Sequence, residues 1–213
     1  MEQLVIRFFL IIAYGGLFLW ELKNVENDKD YNFRLSNKER VKWYSLIALS
    51  SLFLIKMNIF AAAFSIIALM YMHISAITDS KTKLVSMKWV IIILPLAVIC
   101  ESIQANKFSC YTLFILALSV LLYTVGGYGA GDITLSFIPP VIFYLDMPVK
   151  NITTAVMVWL FILIITVVST IIKAVFQKNL KTGLKLKESE PLGPHILFAS
   201  YLYIGCRLVF SFL

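Results

Sequence analysis

Long apolar stretches separated by short charged ones divide this chain of 213 residues. Apolar runs lie at 4–20, 43–57, 58–78, 89–105, 109–126, 133–147, 151–176 and 194–213. A straight membrane-crossing helix needs about 20 such residues, and several runs are shorter. The second meets Lys56 near its end, and the sixth carries Pro139 and Pro140, which predict a kink that shapes the bundle or opens a path into it. The first run continues through Leu17, Phe18 and Leu19 and closes on Trp20 and Glu21, an interfacial aromatic followed by a charge. That ending predicts an anchored span rather than a cleaved leader. The pattern therefore predicts an all-α, polytopic membrane helix bundle of about eight transmembrane helices, with six or seven spans compatible with the weaker runs.

Composition removes the soluble alternative. Hydrophobic residues make up 60% of the chain, mean hydropathy is +0.87 and only 15% of residues are charged, against about 45 to 50% apolar content in an ordinary soluble domain. A net charge of +7 and a pI near 9.3 would raise nucleic acid as a partner, but the basic residues sit in loops rather than along one helix face. They read as topology signals, with membrane lipid as the partner and no nucleic acid. Loops 21–42, 79–88, 127–132 and 177–193 hold thirteen lysines and arginines, against three between runs on the opposite side. This bias predicts a cell-membrane protein with both termini outside and the basic loops in the cytoplasm. The chain reads as one membrane domain over 1–213, without internal repeats. Its segment 21–42, with six basic and five acidic residues, is a charged loop too short for a core. Cys100, Cys110 and Cys206 show no CxxC spacing and predict neither a zinc site nor a disulfide framework, although Cys100 and Cys110 fall near the same face.

Two aspartates stand at ends of apolar runs on the predicted cytoplasmic side. Asp79 closes the uncharged stretch 57–78 and opens a basic loop with Lys81 and Lys83. Asp132 follows Gly126-Gly127-Tyr128-Gly129-Ala130-Gly131, after the fifth run. Gly127 and Gly131 have the small-xxx-small spacing that admits a close neighbouring helix, and Gly129 and Gly131 permit backbone angles that a side chain forbids. Two carboxylates sharing a site hold one proton between them, the state in which one activates a water and the other protonates a carbonyl oxygen. The plainer reading is that Asp79 caps a helix and the glycines serve packing.

The segment Gly129-Ala130-Gly131-Asp132-Ile133-Thr134-Leu135 resembles the GxGD motif of the type IV prepilin peptidases. Asp79 through Ser86, after an apolar helix, resembles the family's other aspartate motif, and Pro191-Leu192-Gly193-Pro194 resembles its proline and glycine element before the last helix. The matches occur in the family's order and extend over most of the chain from about residue 43, so that 43–213 resembles the peptidase bundle. The resemblance implies an intramembrane aspartic endopeptidase with Asp79 and Asp132 catalytic. Gly129, Gly131, Thr134, Lys81, Lys83, Pro191, Gly193 and Pro194 would bind substrate or shape the site. It further implies a prepilin or pseudopilin-like substrate whose basic leader is cut at the cytoplasmic face, with no metal and no cofactor. The family usually has proline where Ser86 stands and lysine where Thr134 stands. Its larger members carry a CxxC-containing cytoplasmic domain where this chain has 21–42, which counts against methylation of the cut product.

His73 lies six residues before Asp79, about 600° round a helix, and reads as a packing residue. His195 follows Pro194 at the start of the last run, where it could reach the site, but the sequence shows no partner for it. Arg7, Lys173 and Arg207 read as snorkelling or paired. Two other functions fit the same scaffold: a catalytically inactive assembly factor that binds a substrate helix, and a proton-relay transporter. The placement of both aspartates at one face, away from the midplane, disfavours the transporter.

Overall fold

The computed structural model describes residues 2–85, 88–105, 110–124, 130–146, 152–180 and 191–210. Their regular structure is entirely helical, in nine segments: α1 (Glu2–Asn27), α2 (Asn37–Lys56), α3 (Ile59–Thr82), α4 (Val90–Ala105), α5 (Tyr111–Thr124), α6 (Ala130–Ser136), α7 (Ile138–Asp146), α8 (Ile152–Leu180) and α9 (Gly193–Phe210). Each apolar run is represented, and the sixth forms two helices. Pro139 and Pro140 lack the N–H groups that would donate to the carbonyls of Leu135 and Ser136. Proline is accommodated only in a first turn, so α6 stops and α7 starts anew. α6 also begins earlier than the run predicts. Asp132 therefore stands in the first turn of a helix rather than at the end of the fifth run, where a carboxylate complements the positive end of the helix dipole.

Hydrophobic sorting sets the architecture. α3 is the hub, packed against α1, α2, α4, α7 and α9, and 78% of its most apolar window is buried, against 22% in α1 and in α8. The outer helices turn isoleucine, valine and phenylalanine outward: Phe8, Phe9 and Ile12 on α1, Ile91 and Ile99 on α4, Ile164, Val168 and Ile172 on α8. Such an apolar exterior is stable against hydrocarbon, where helices satisfy their own backbone groups. α1, α3 and α8 are long and apolar enough to cross a membrane, and α4 and α5 are apolar but shorter. The protein is a helical membrane protein. Cys100 and Cys110 are free thiols; the side chain of Cys206 lies outside the described residues.

At one end of the bundle, Asn58 caps α3, its Oδ1 accepting from Ala61 N at 2.9 Å. Its own N–H donates to Asp146 Oδ1 at 2.8 Å and its Nδ2 to Leu145 O at 2.6 Å, which fastens the start of α3 to the end of α7. Inside the bundle, polar side chains from four helices meet at His73. His73 Nδ1 donates to Leu69 O at 2.6 Å and lies 3.2 Å from Tyr14 Oη, which donates to Ser50 Oγ at 2.7 Å; Ser50 in turn donates to Ile47 O. His73 Nε2 bonds Tyr201 of α9. The histidine is thus a packing residue whose polar atoms join α1, α2, α3 and α9.

At the opposite end, charges join the helices. Of the segment 21–42, residues through Asn27 extend α1 and those from Asn37 begin α2, leaving 28–36 as the connection. Arg40 Nη2 reaches both Glu26 oxygens at 2.5 and 2.6 Å, and Ser36 and Glu39 form a capping box. Lys81 of α3 bonds Glu39. That ammonium, with the Ser36 backbone and hydroxyl, holds the Glu39 carboxyl down to about 2 from an ordinary 4.5.

Two outcomes follow from these ends. Asn58→Ala is expected to cost about 1 to 2 kcal/mol of stability in detergent, measured by thermal unfolding, through loss of the cap and the tie to α7. Because the Glu39 carboxyl is depressed on folding, its contribution is fully present above pH 4.5 and lost as pH falls toward about 2. Melting temperatures measured across that interval should decline less steeply for Glu39→Gln than for the parent chain.

Candidate active site

The site assembles from three helix ends. α3 closes at Thr82 because Lys83 adopts a left-handed conformation (φ 59°) and returns its N–H to Asp79 O at 3.0 Å. This places Asp79 in the last turn of α3. Its side chain is buried, and Oδ2 accepts the backbone N–H of Gly193 at 2.7 Å.

The Pro191-Leu192-Gly193-Pro194 segment explains that bond. Leu192 O accepts the amides of His195 and Ile196, both at 2.9 Å, so α9 starts here. Pro194 falls in its first turn, where a missing N–H costs nothing. Gly193 N–H is one of the donors that a helix start leaves without an intrahelical acceptor, and the Asp79 carboxylate supplies one. A Cβ at Gly193 would stand 2.9 Å from Asp79 Oδ2 and 3.3 Å from Ala76 Cα, so the approach of α9 to α3 requires a glycine. His195 lies within electrostatic reach of Asp79 and its Nδ1 is 2.9 Å from Ser169 Oγ of α8.

α6 arrives from the other side. A Cβ on Gly131 would lie 2.7 and 2.8 Å from Cβ and Cγ2 of Val85, in the chain just beyond α3. Three residues on, Thr134 donates to Gly131 O at 2.7 Å, so the 2.8 Å contact with Tyr71 has the tyrosine as donor. Gly131 by Val85 and Thr134 by Tyr71 tie α6 to α3 and to the chain just beyond it. Asp132, partly buried, is one residue from the Gly131 contact. α6 packs against α8 and α9 as well, and its start lies against Val85, six residues after Asp79.

Not every expected residue points there. Lys81 is engaged by Glu39 and ties α3 to α2, and Lys83 serves as the α3 cap. Thr134 is a buried helix-to-helix tie. Pro191 is partly buried just before α9. Gly127, Gly129 and Ser86 lie outside the described residues. Sequence reading missed Tyr71. Its signal was the spacing Tyr71, Ser75, Asp79, a polar residue every four positions in an apolar helix, which places all three along one stripe. It also missed Glu101, buried in α4 and bonded by Thr112.

The chemistry available is that of a buried carboxylate oriented by a fixed backbone donor, with a second helix that carries an aspartate in its first turn beginning against Val85. No protein-family model, curated protein or solved structure matches the chain.

Alanine at Gly193 or at Gly131 is expected to destabilise the bundle by about 1 to 3 kcal/mol, as overpacking does. Alanine at Gly15 or Gly16 meets open space and should be neutral or slightly stabilising through helix propensity. Chemical denaturation of the four variants in one detergent distinguishes them; equal effects would refute the close approach.

Proposed function

We propose that the chain is an intramembrane aspartic endopeptidase that removes the basic leader of a prepilin or pseudopilin-like protein at the cytoplasmic membrane face. The observation carrying this reading is the pair of glycine-dependent contacts, Gly193 on Asp79 and Gly131 on Val85, which draw the starts of α9 and α6 to the end of α3. These are the segments on which the family resemblance rests, and their meeting in space is independent of their resemblance in sequence.

In the proposed reaction Asp79 and Asp132 share one proton. The ionised member takes a proton from a water while the oxygen of that water attacks the scissile carbonyl carbon. The protonated member donates to the carbonyl oxygen. The tetrahedral intermediate then collapses: the member that took the water's proton gives it to the leaving nitrogen as the C–N bond breaks, and the other member regains its proton from the diol hydroxyl. The two carboxyls titrate as a unit, so neither role belongs to one residue. Gly193 N–H holds Asp79 Oδ2 in place, leaving Oδ1 for the water or the shared proton. The lysine-rich face fits an anionic lipid surface, where a basic leader would also gather.

A second reading, a binding scaffold without catalysis, draws on Thr134, whose hydroxyl is occupied by Tyr71 and Gly131 O and brings no charge beside Asp132. One experiment separates the two. With a prepilin co-expressed, Asp79→Asn and Asp132→Asn should each reduce leader removal at least about a thousandfold while the protein still accumulates in the membrane. Complete processing by both variants would refute the peptidase and favour the scaffold.

A further inference from the structure

A cavity of about 360 Å³ opens at the same end of the bundle, between the last turns of α1 and the start of α4. Trp20, Glu21, Asn24, Val25, Asp28, Lys88, Trp89 and Ile92 line it, and nothing in the proposed reaction uses them. Four features decide what it can hold.

The first is a buried acid. Glu21 is 6% exposed, and its two oxygens accept only neutral donors, Trp89 Nε1 at 2.8 Å and Asn24 Nδ2 at 3.3 Å. Among the described residues no lysine or arginine stands within ion-pair distance of it. A carboxylate so placed attracts a cation. The second is the pair of indoles. Trp20 and Trp89 border the same space, Trp89 with its N–H edge on the carboxylate, and a space walled by aromatic rings suits an organic ammonium better than a hydrated metal ion. The third is a cation at the mouth. Lys88, with 74% of its side chain exposed, touches Asp28 Oδ2 at 3.3 Å and keeps further N–H groups for an anionic oxygen. The fourth is an apolar flank. Trp20 and Ile92 are about half exposed and Ile91 is 78% exposed, continuous with the lipid-facing belt.

An ammonium slot, an anion contact beside it and an apolar flank together describe an amphiphile with both charges in its headgroup. We propose that this cavity binds one zwitterionic phospholipid with a primary ammonium, phosphatidylethanolamine. The ammonium would meet Glu21 between the indoles, the phosphate would meet Lys88, and the acyl chains would run down Ile92 and Ile91. A basic polypeptide segment fits less well, because Lys88 at the mouth repels it and the flank continues into lipid rather than into water. The proposal stands independently of the peptidase reading.

Native mass spectrometry of the full chain in mild detergent tests it, using phosphatidylethanolamine, phosphatidylcholine and phosphatidylglycerol of matched acyl chains. The parent protein should retain one phosphatidylethanolamine in preference to the other two. Glu21→Gln keeps an acceptor oxygen for Trp89, loses the one that Asn24 uses and removes the charge, and should weaken that binding about tenfold or more. Lys88→Ala, on an exposed side chain that the fold does not need, should weaken it severalfold. Asp79→Asn should leave it unchanged, so failure here and failure of the peptidase assay are separable. Equal retention of phosphatidylglycerol, or undiminished phosphatidylethanolamine binding by Lys88→Ala and by Glu21→Gln, would overturn the proposal. So would displacement of the lipid by a lysine-rich peptide at equal concentration, which would reassign the cavity to a polypeptide.

Discussion

A polar atom inside a lipid-facing bundle has no water to turn to; in this protein some buried hydroxyls, such as those of Thr166 and Ser200, bond carbonyls of their own helix, and others find partners on neighbouring helices. The bond from Gly193 N–H to the Asp79 carboxylate is the most consequential of these. It satisfies an acid at the end of one helix with a donor that the start of another leaves over. Each group alone in an apolar interior would cost several kcal/mol, about the margin by which a domain is stable. Removing either partner therefore penalises the one left behind.

The same constraint lays α9 along the C-terminal part of α3. Six residues before Asp79, His73 bonds Tyr201, and the two contacts together fix an antiparallel register. The His73 cluster also engages Tyr14 and Ser50, so that α1 and α2 share the register. Since α3 packs against α1, α2, α4, α7 and α9, this lock determines where Asp79 stands relative to each of them. α6 is held by a parallel logic, a glycine contact at its start and a hydroxyl pair one turn on.

Strong positioning and loose surroundings coexist at this end of the bundle. The acid is fixed by backbone, which side-chain motion does not disturb, whereas the charged ties nearby lie at the surface and are open to salt and pH. Exposed pairs such as Lys81 with Glu39 contribute little stability. They orient the connection between α1 and α2 against the last turn of α3. Glu21 differs from them because it is buried and its hydrogen bonds come from neutral groups.

Hydropathy made the helical membrane class, the approximate limits of eight apolar runs and the break at Pro139 and Pro140 legible, because each depends on local composition and on a missing amide. The aspartates stood out for the same reason, as charges in apolar surroundings. Spacing hinted at Gly131 and Gly193 but not at what they approach. A glycine's value lies in the atoms that come close to it, and those belong to residues 114 positions away in one case and 46 in the other. The roles of Lys81, Thr134, Tyr71 and Glu21 were likewise decided by packing: each is an ordinary residue until another helix supplies its partner. Burial in lipid dictates that such partners exist, and only the arrangement of the helices dictates which they are.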